Sequence, residues 1–129
     1  MIVVTGPRID PESLPKVEGL EVRAYVHNLY RHLAACDLAV VRGGLTTSME
    51  LTVNQRPFLS FPLAHHFEQN FHVRHRLNRY GAGRCMDFDS STPEVIAAAI
   101  ADERGREVAY RTVSQDAART AAERIVELI

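Results

Sequence analysis

Apolar and polar positions along this chain fall in short blocks whose period switches repeatedly between that of a strand and that of a helix. Ile2-Val3-Val4-Thr5 is a β-branched run cut off by Gly6-Pro7 and predicts a buried strand. Pro7, Pro11 and Pro15 each remove a backbone donor, so residues 6–19 read as loop. Leu20 to Tyr25 alternates apolar with charged side chains and predicts a second strand. Asn28 predicts a cap for a short helix from Leu29 to Ala35, with Leu29, Leu33 and Cys36 on one side. Leu38-Ala39-Val40-Val41 is the clearest buried strand. It stops at Gly43-Gly44, and a helix over Thr47 to Val53 follows.

Phe58 to Phe61, bounded by Pro57 and Pro62, predicts a fourth strand. Phe67 to Tyr80 predicts one long helix, with Gly81 placed where a left-handed terminator belongs. Arg84 to Phe88 predicts a fifth strand. Thr92-Pro93-Glu94 opens a helix running to about Ala101, with proline at its first position. Ser114 to Ile129 predicts a last amphipathic helix, apolar at Ala117, Ala118, Ala121, Ala122, Ile125, Val126 and Ile129. Strands separated by helices need crossovers, and right-handed crossovers build a parallel sheet covered on both faces. The expected fold class is therefore α/β, an open Rossmann-like parallel sheet flanked by helices.

Composition narrows the partners. With 129 residues, one domain with one core is expected. Fifteen Lys and Arg against sixteen Asp and Glu give a formal charge of -1, which argues against nucleic-acid binding by bulk phosphate neutralisation. No apolar run approaches the roughly 20 residues needed to cross a bilayer, so no transmembrane segment is expected. The start, four apolar residues and then Gly-Pro-Arg, does not read as a signal peptide. Cys36 and Cys85 lack a CxxC partner and read as reduced thiols, which places the expected location in the cytoplasm.

Open α/β sheets bind ligands beyond the carboxyl ends of their strands. The turn Arg42-Gly43-Gly44-Leu45-Thr46-Thr47-Ser48 supplies two glycines for close approach, three hydroxyls and the amides of a helix start, a suitable place for a phosphate or diphosphate. Glu50, one turn on, could accept from a sugar diol. Thr47 to Glu50 equally fits a capping box, in which Glu50 reaches back to the cap residue's amide. Beyond the fourth strand, four of the six histidines (His65, His66, His72, His75) fall within eleven residues. Glu68, His72 and His75 have the spacing of a two-histidine, one-carboxylate metal face, but HExxH is absent and solvated histidines beside Glu68 are the ordinary alternative. No metal is assigned. At that strand end, His65, Glu68 and Gln69 could also hold sugar hydroxyls.

Taken together, residues 35–63 (ACDLAVVRGGLTTSMELTVNQRPFLSFPL), 65–70 (HHFEQN) and 79–83 (RYGAG) resemble the carboxyl-terminal, nucleotide-sugar-binding half of GT-B glycosyltransferases. The similarity is to family 28, which includes the lipid II-forming N-acetylglucosaminyltransferase, and more loosely to the UDP-glycosyltransferases. It runs from about Ile2 to Ile100. The resemblance implies that Arg42, Gly43, Gly44, Thr46 and Thr47 bind the donor diphosphate and Glu50 the ribose. Tyr25 and Val26 fall at the base-contacting segment, and His65, Glu68, Gln69 and Asn70 at the donor sugar. It further implies inverting transfer from a UDP- or dTDP-sugar without a bound metal or other cofactor, the helix end stabilising the departing diphosphate.

Plant-type relatives carry a histidine where this chain has Arg42-Gly43-Gly44, which favours the bacterial branch. A complete GT-B enzyme also has an amino-terminal domain that binds acceptor and usually supplies the base. No catalytic residue is assigned within this chain. The expectation is a partial donor-binding domain over 1–129, without the first strand, glycine-rich loop and helix of that half, working with an acceptor domain or a separate acceptor-binding chain. A bare sheet edge would also favour homo-oligomers. The alternative is a nucleotide-binding or regulatory module with no transferase role.

Overall fold

The computed structural model describes residues 1–114 and 116–129. The chain divides into two units, Met1–His32 and Leu33–Ile129. In the first, β1 (Ile2–Val4) and β2 (Glu21–Arg23) pair in parallel, with Ile2 opposite Glu21 and Val4 opposite Arg23. A parallel pair needs a crossover of a dozen or more residues, and here the proline-bearing loop provides it. That loop contains one 3-10 turn, Pro11–Ser13, begun by the Asp10 carboxylate accepting from the Glu12 N–H at 3.0 Å. Gly19, at φ 77°, lets its carbonyl accept from the Met1 amino group at 2.7 Å. Helix α1 (Leu29–Ala35) has the bounds expected of it and runs across the division between the units. Asn28 does not adopt the extended conformation of a cap. It sits at φ 53°, a left-handed turn that asparagine tolerates, and its carbonyl accepts from the Arg31 N–H.

The second unit is built on a three-stranded parallel sheet in the order β3-β4-β5, formed by Ala39–Val41, Phe58–Ser60 and Arg84–Cys85. The five strands are thus hydrogen-bonded as a pair and a triple. All three residues of β4 are buried, as expected of a central strand with both faces covered. Its period of two sorts the core. Phe58 joins Leu33, Ala39, Leu51, Val73, Leu77 and Ala82 on one face. Leu59 and Phe61 pack with Ala99, flanked by Leu38, Met86, Ile96 and Ile100, on the other. Helices α2 (Leu45–Val53) and α3 (Arg74–Tyr80) supply the first cluster and α4 (Pro93–Glu103) the second. A parallel α/β sheet flanked by helices is therefore the fold.

Local boundaries follow from particular residues. Gly81 ends α3 at φ 63° and ψ 32°, the left-handed terminator expected there. Gly83 has a different task. A methyl group on it would lie 2.4 Å from the ring of fully buried Phe58, so only glycine lets that ring close the core. Thr92 caps α4 by accepting from the Val95 N–H, with Pro93 in the first turn. The expected helix over 67–80 is not uniform: Glu68–Val73 forms a π-helical segment, and regular helix begins only at Arg74.

Past α4, the chain returns beneath the amino-terminal ends of the strands. The Tyr110 N–H donates to Gln55 Oε1 at 2.8 Å, and its hydroxyl donates to the Arg56 carbonyl at 3.3 Å. The Arg111 N–H reaches the Tyr80 carbonyl at 2.9 Å. The last helix, α5 (Ala117–Val126), is shorter than expected and buries none of its residues. Gln115, within its expected span, lies outside the described residues.

Candidate functional site

The carboxyl end of β3 passes through Arg42 and Gly43 into α2. The helix starts at Leu45, not Thr47, with Gly44 as the residue before it at φ -71° and ψ 143°. Thr47 therefore lies inside the first turn, and the capping box expected as the plain alternative does not form. Among the described residues no side chain caps this helix. The first amides of any helix lack intrahelical partners and carry the positive end of its dipole, and here they open onto the end of the sheet.

The two glycines differ. Gly43 is buried at φ 63°, and a methyl group there would meet Ser60 Oγ at 3.0 Å and Pro62 Cα at 3.2 Å. Its hydrogen is required by the protein's own packing. Gly44 has ordinary extended backbone, and a methyl group there would meet nothing within 4 Å. Among the described residues nothing requires glycine at 44, and a side chain there would meet open space. Thr46 and Arg42 are exposed, and Thr47 and Glu50 half-buried. Ser48 departs from its expected role: it is fully buried on the core side, and its hydroxyl has no partner among the described residues.

Because β3 and β4 are hydrogen-bonded neighbours, the loop after β4 emerges beside this turn. It is held from within. Gln69 Oε1 accepts from the Leu63 N–H at 2.9 Å. The Asn70 carboxamide nitrogen donates to the carbonyls of Leu63 at 2.7 Å, His66 at 3.0 Å and Ala64 at 3.3 Å. His65 and Glu68 are exposed, while Gln69 and Asn70 are half-buried. The structure thus brings Arg42 to Thr47 together with the loop that bears His65, Glu68, Gln69 and Asn70. Tyr25 and Val26 belong to the first unit, where Tyr25 is exposed and Val26 buried.

The whole chain, residues 1–129, matches the model of the glycosyltransferase family 28 C-terminal domain. The chain belongs to that family. Among its curated relatives, an uncharacterized glycosyltransferase of Methanosarcina mazei is 37% identical over 98 residues, covering 75% of this chain and 26% of the relative. A UDP-N-acetylglucosamine--N-acetylmuramyl-(pentapeptide) pyrophosphoryl-undecaprenol N-acetylglucosamine transferase of Anaeromyxobacter dehalogenans is 33% identical over 121 residues, covering 84% of this chain and 31% of the relative. A solved structure, described as the glycotransferase of kitacinnamycin, superposes with a TM-score of 0.62 at 22% identity, over 98% of this chain and 29% of that one. At that identity the likeness speaks to the fold, and it is that of a GT-B C-terminal domain. The chain spans under a third of the length of each of these proteins.

Other chemistry in this family 28 domain is sparse. Among the described residues no three His, Cys, Asp or Glu side chains converge as a metal site. Glu68, His72 and His75 were spaced for one face of a regular helix, and the π-helical segment between them alters that register. Phe67 instead stacks on Phe71 at 4.8 Å and meets His72 edge-on at 5.5 Å. Burial pushes the half-buried Cys36 thiol up, disfavouring the thiolate, and likewise raises the Tyr110 hydroxyl. Among the described residues no helix is long and apolar enough to cross a membrane. The sequence reading missed the Gln69 and Asn70 clamp. Gln-Asn seven residues past the strand-ending Pro62 was the available sign, because carboxamides there can replace missing backbone bonds in a turn.

Proposed function

We propose that this domain is the donor-binding part of an inverting glycosyltransferase that takes a nucleoside-diphosphate sugar, UDP- or dTDP-linked. The observation that carries this is the uncapped start of α2 beneath the open space at Gly44, set beside the loop after β4. The diphosphate accepts from the unpaired amides of Leu45 to Thr47, with the Thr46 hydroxyl and Arg42 guanidinium adding donors. Glu50, one turn along, binds the ribose diol. His65, Glu68 and the free amide nitrogen of Gln69 face the donor sugar.

In transfer, an acceptor hydroxyl attacks the anomeric carbon from the side opposite the diphosphate. The bond from that carbon to the phosphate oxygen breaks, and the electron pair leaves on the diphosphate. Negative charge grows at the helix start, where fixed dipoles stabilise it without reorganisation. The acceptor surface and the base that takes the hydroxyl proton belong to the partner half or a partner chain.

Titration calorimetry with UDP, UDP-glucose, UDP-N-acetylglucosamine and dTDP-glucose tests this. One UDP- or dTDP-sugar should bind more tightly than its parent nucleotide, Glu50→Ala should weaken both, and Gln69→Ala should weaken the sugar nucleotide alone. Equal affinity for every nucleotide would favour a regulatory nucleotide-binding module.

A further inference from the structure

Asn70 lies in the stretch expected to touch the donor sugar, but its carboxamide nitrogen is already committed. Its two hydrogens are shared among the carbonyls of Leu63, His66 and Ala64 at 2.7, 3.0 and 3.3 Å. The Asn70 main-chain N–H also donates to the His66 carbonyl at 3.1 Å. One residue earlier, Gln69 takes the Leu63 N–H at 2.9 Å. Two adjacent carboxamides of the π-helical segment thus hold both polar groups of Leu63 and fold the loop back on the helix that follows it. The loop starts at Pro62, whose Cα lies 3.2 Å from where a Gly43 side chain would begin. Asn70, the loop, Pro62, Gly43 and the start of α2 are therefore one continuous set of contacts.

We infer that Asn70 is a positioning residue which, through this clamp, sets the distance between the sugar-side loop and the diphosphate-side turn, and does not itself touch the donor. This rests on the donor-binding reading above. Exposed loop carbonyls bond to water equally well, so the clamp adds little to global stability. Its consequence is geometric. A loop freed by an ångström or so no longer offers His65 and the Gln69 amide at the sugar hydroxyls, while the nucleotide diphosphate still meets the helix start.

The test uses the full chain as wild type, Asn70→Ala and Asn70→Asp, the last of similar shape with no hydrogens to share. Calorimetry with UDP and UDP-N-acetylglucosamine is read beside amide exchange at Leu63 and His66. The expected result in both variants is UDP-N-acetylglucosamine weakened by about tenfold or more, UDP within about twofold of wild type, faster exchange at both amides and an unchanged melting midpoint. Sugar-nucleotide binding lost with the amides still protected would mean direct contact and overturn the inference. So would faster exchange with unchanged affinity. Wild type binding neither compound would remove the donor reading and this inference with it; normal wild-type binding without an Asn70 effect removes this inference alone.

Discussion

Helices α2 and α4 flank the same sheet and begin in opposite ways. At α4 every local device is present: the Thr92 side chain accepts from the Val95 N–H, Pro93 occupies the first turn, and Glu94 sits where the dipole favours an acid. At α2 the preceding residue is glycine, no side chain caps, and the first turn holds no acid. Capping α2 would stabilise the fold, and the chain forgoes it. The difference lies in what each start leaves unpaired: α4 satisfies an early amide from its own chain, whereas the first amides of α2 stay available, as the proposed diphosphate binding requires.

The hardest way to break this comparison is at Gly43. Gly43→Ala strains a φ of 63° and drives a methyl group against Ser60 and Pro62, so urea denaturation should show a loss of about 2–4 kcal/mol. Gly44→Asp sharpens it. Its backbone accepts aspartate, and a capping carboxylate should stabilise α2 by about 0.5–1 kcal/mol. The same charge repels a diphosphate, so UDP affinity should fall by at least about tenfold. Stability and affinity moving together would break the proposed division. At the other helix, Thr92→Ala should cost about 1 kcal/mol in denaturation and leave UDP affinity unaltered.

The smallest effect is that of pH. The Glu94 carboxyl is held below its ordinary value by the Glu94 backbone N–H and then by Thr92. Its contribution is complete above the unfolded glutamate pKa of about 4.3 and is lost as pH falls through the depressed folded value. Glu94→Gln should therefore lower the neutral plateau of stability slightly and flatten the acid limb, the two proteins converging at low pH.

The placing of the strands, α1, the Gly81 terminator and the cap of α4 were legible because each depends on neighbours a few residues away. The start of α2 was misplaced by two residues for the same reason. Thr47 and Glu50 satisfy a local capping rule, but the helix begins at Leu45, just past the Gly43 that packs against Ser60 and Pro62. Strand β1, expected to be buried, exposes Ile2 and Val4, and β5 ends at Cys85, short of the expected Phe88. The π-helical segment broke an otherwise regular period, which no pattern of apolar positions announces. Of the site, the glycines, Thr46, Glu50 and the loop from His65 to Asn70 were visible as residues. Burial of the Ser48 hydroxyl and the commitment of Asn70 to three carbonyls were not.

By itself, the order of residues determined the alternation of strand and helix, the parallel sheet that alternation demands, and the family to which the two clusters point. Tertiary structure alone decided which glycine the protein's own packing requires and which it does not, since the two are the same residue type and differ in backbone conformation and in what stands 3 Å away. It likewise decided that one helix start stays open and that a carboxamide reads as a clamp. Hydrophobic period is a local property of the chain, whereas an unpaired donor is defined by everything that fails to reach it.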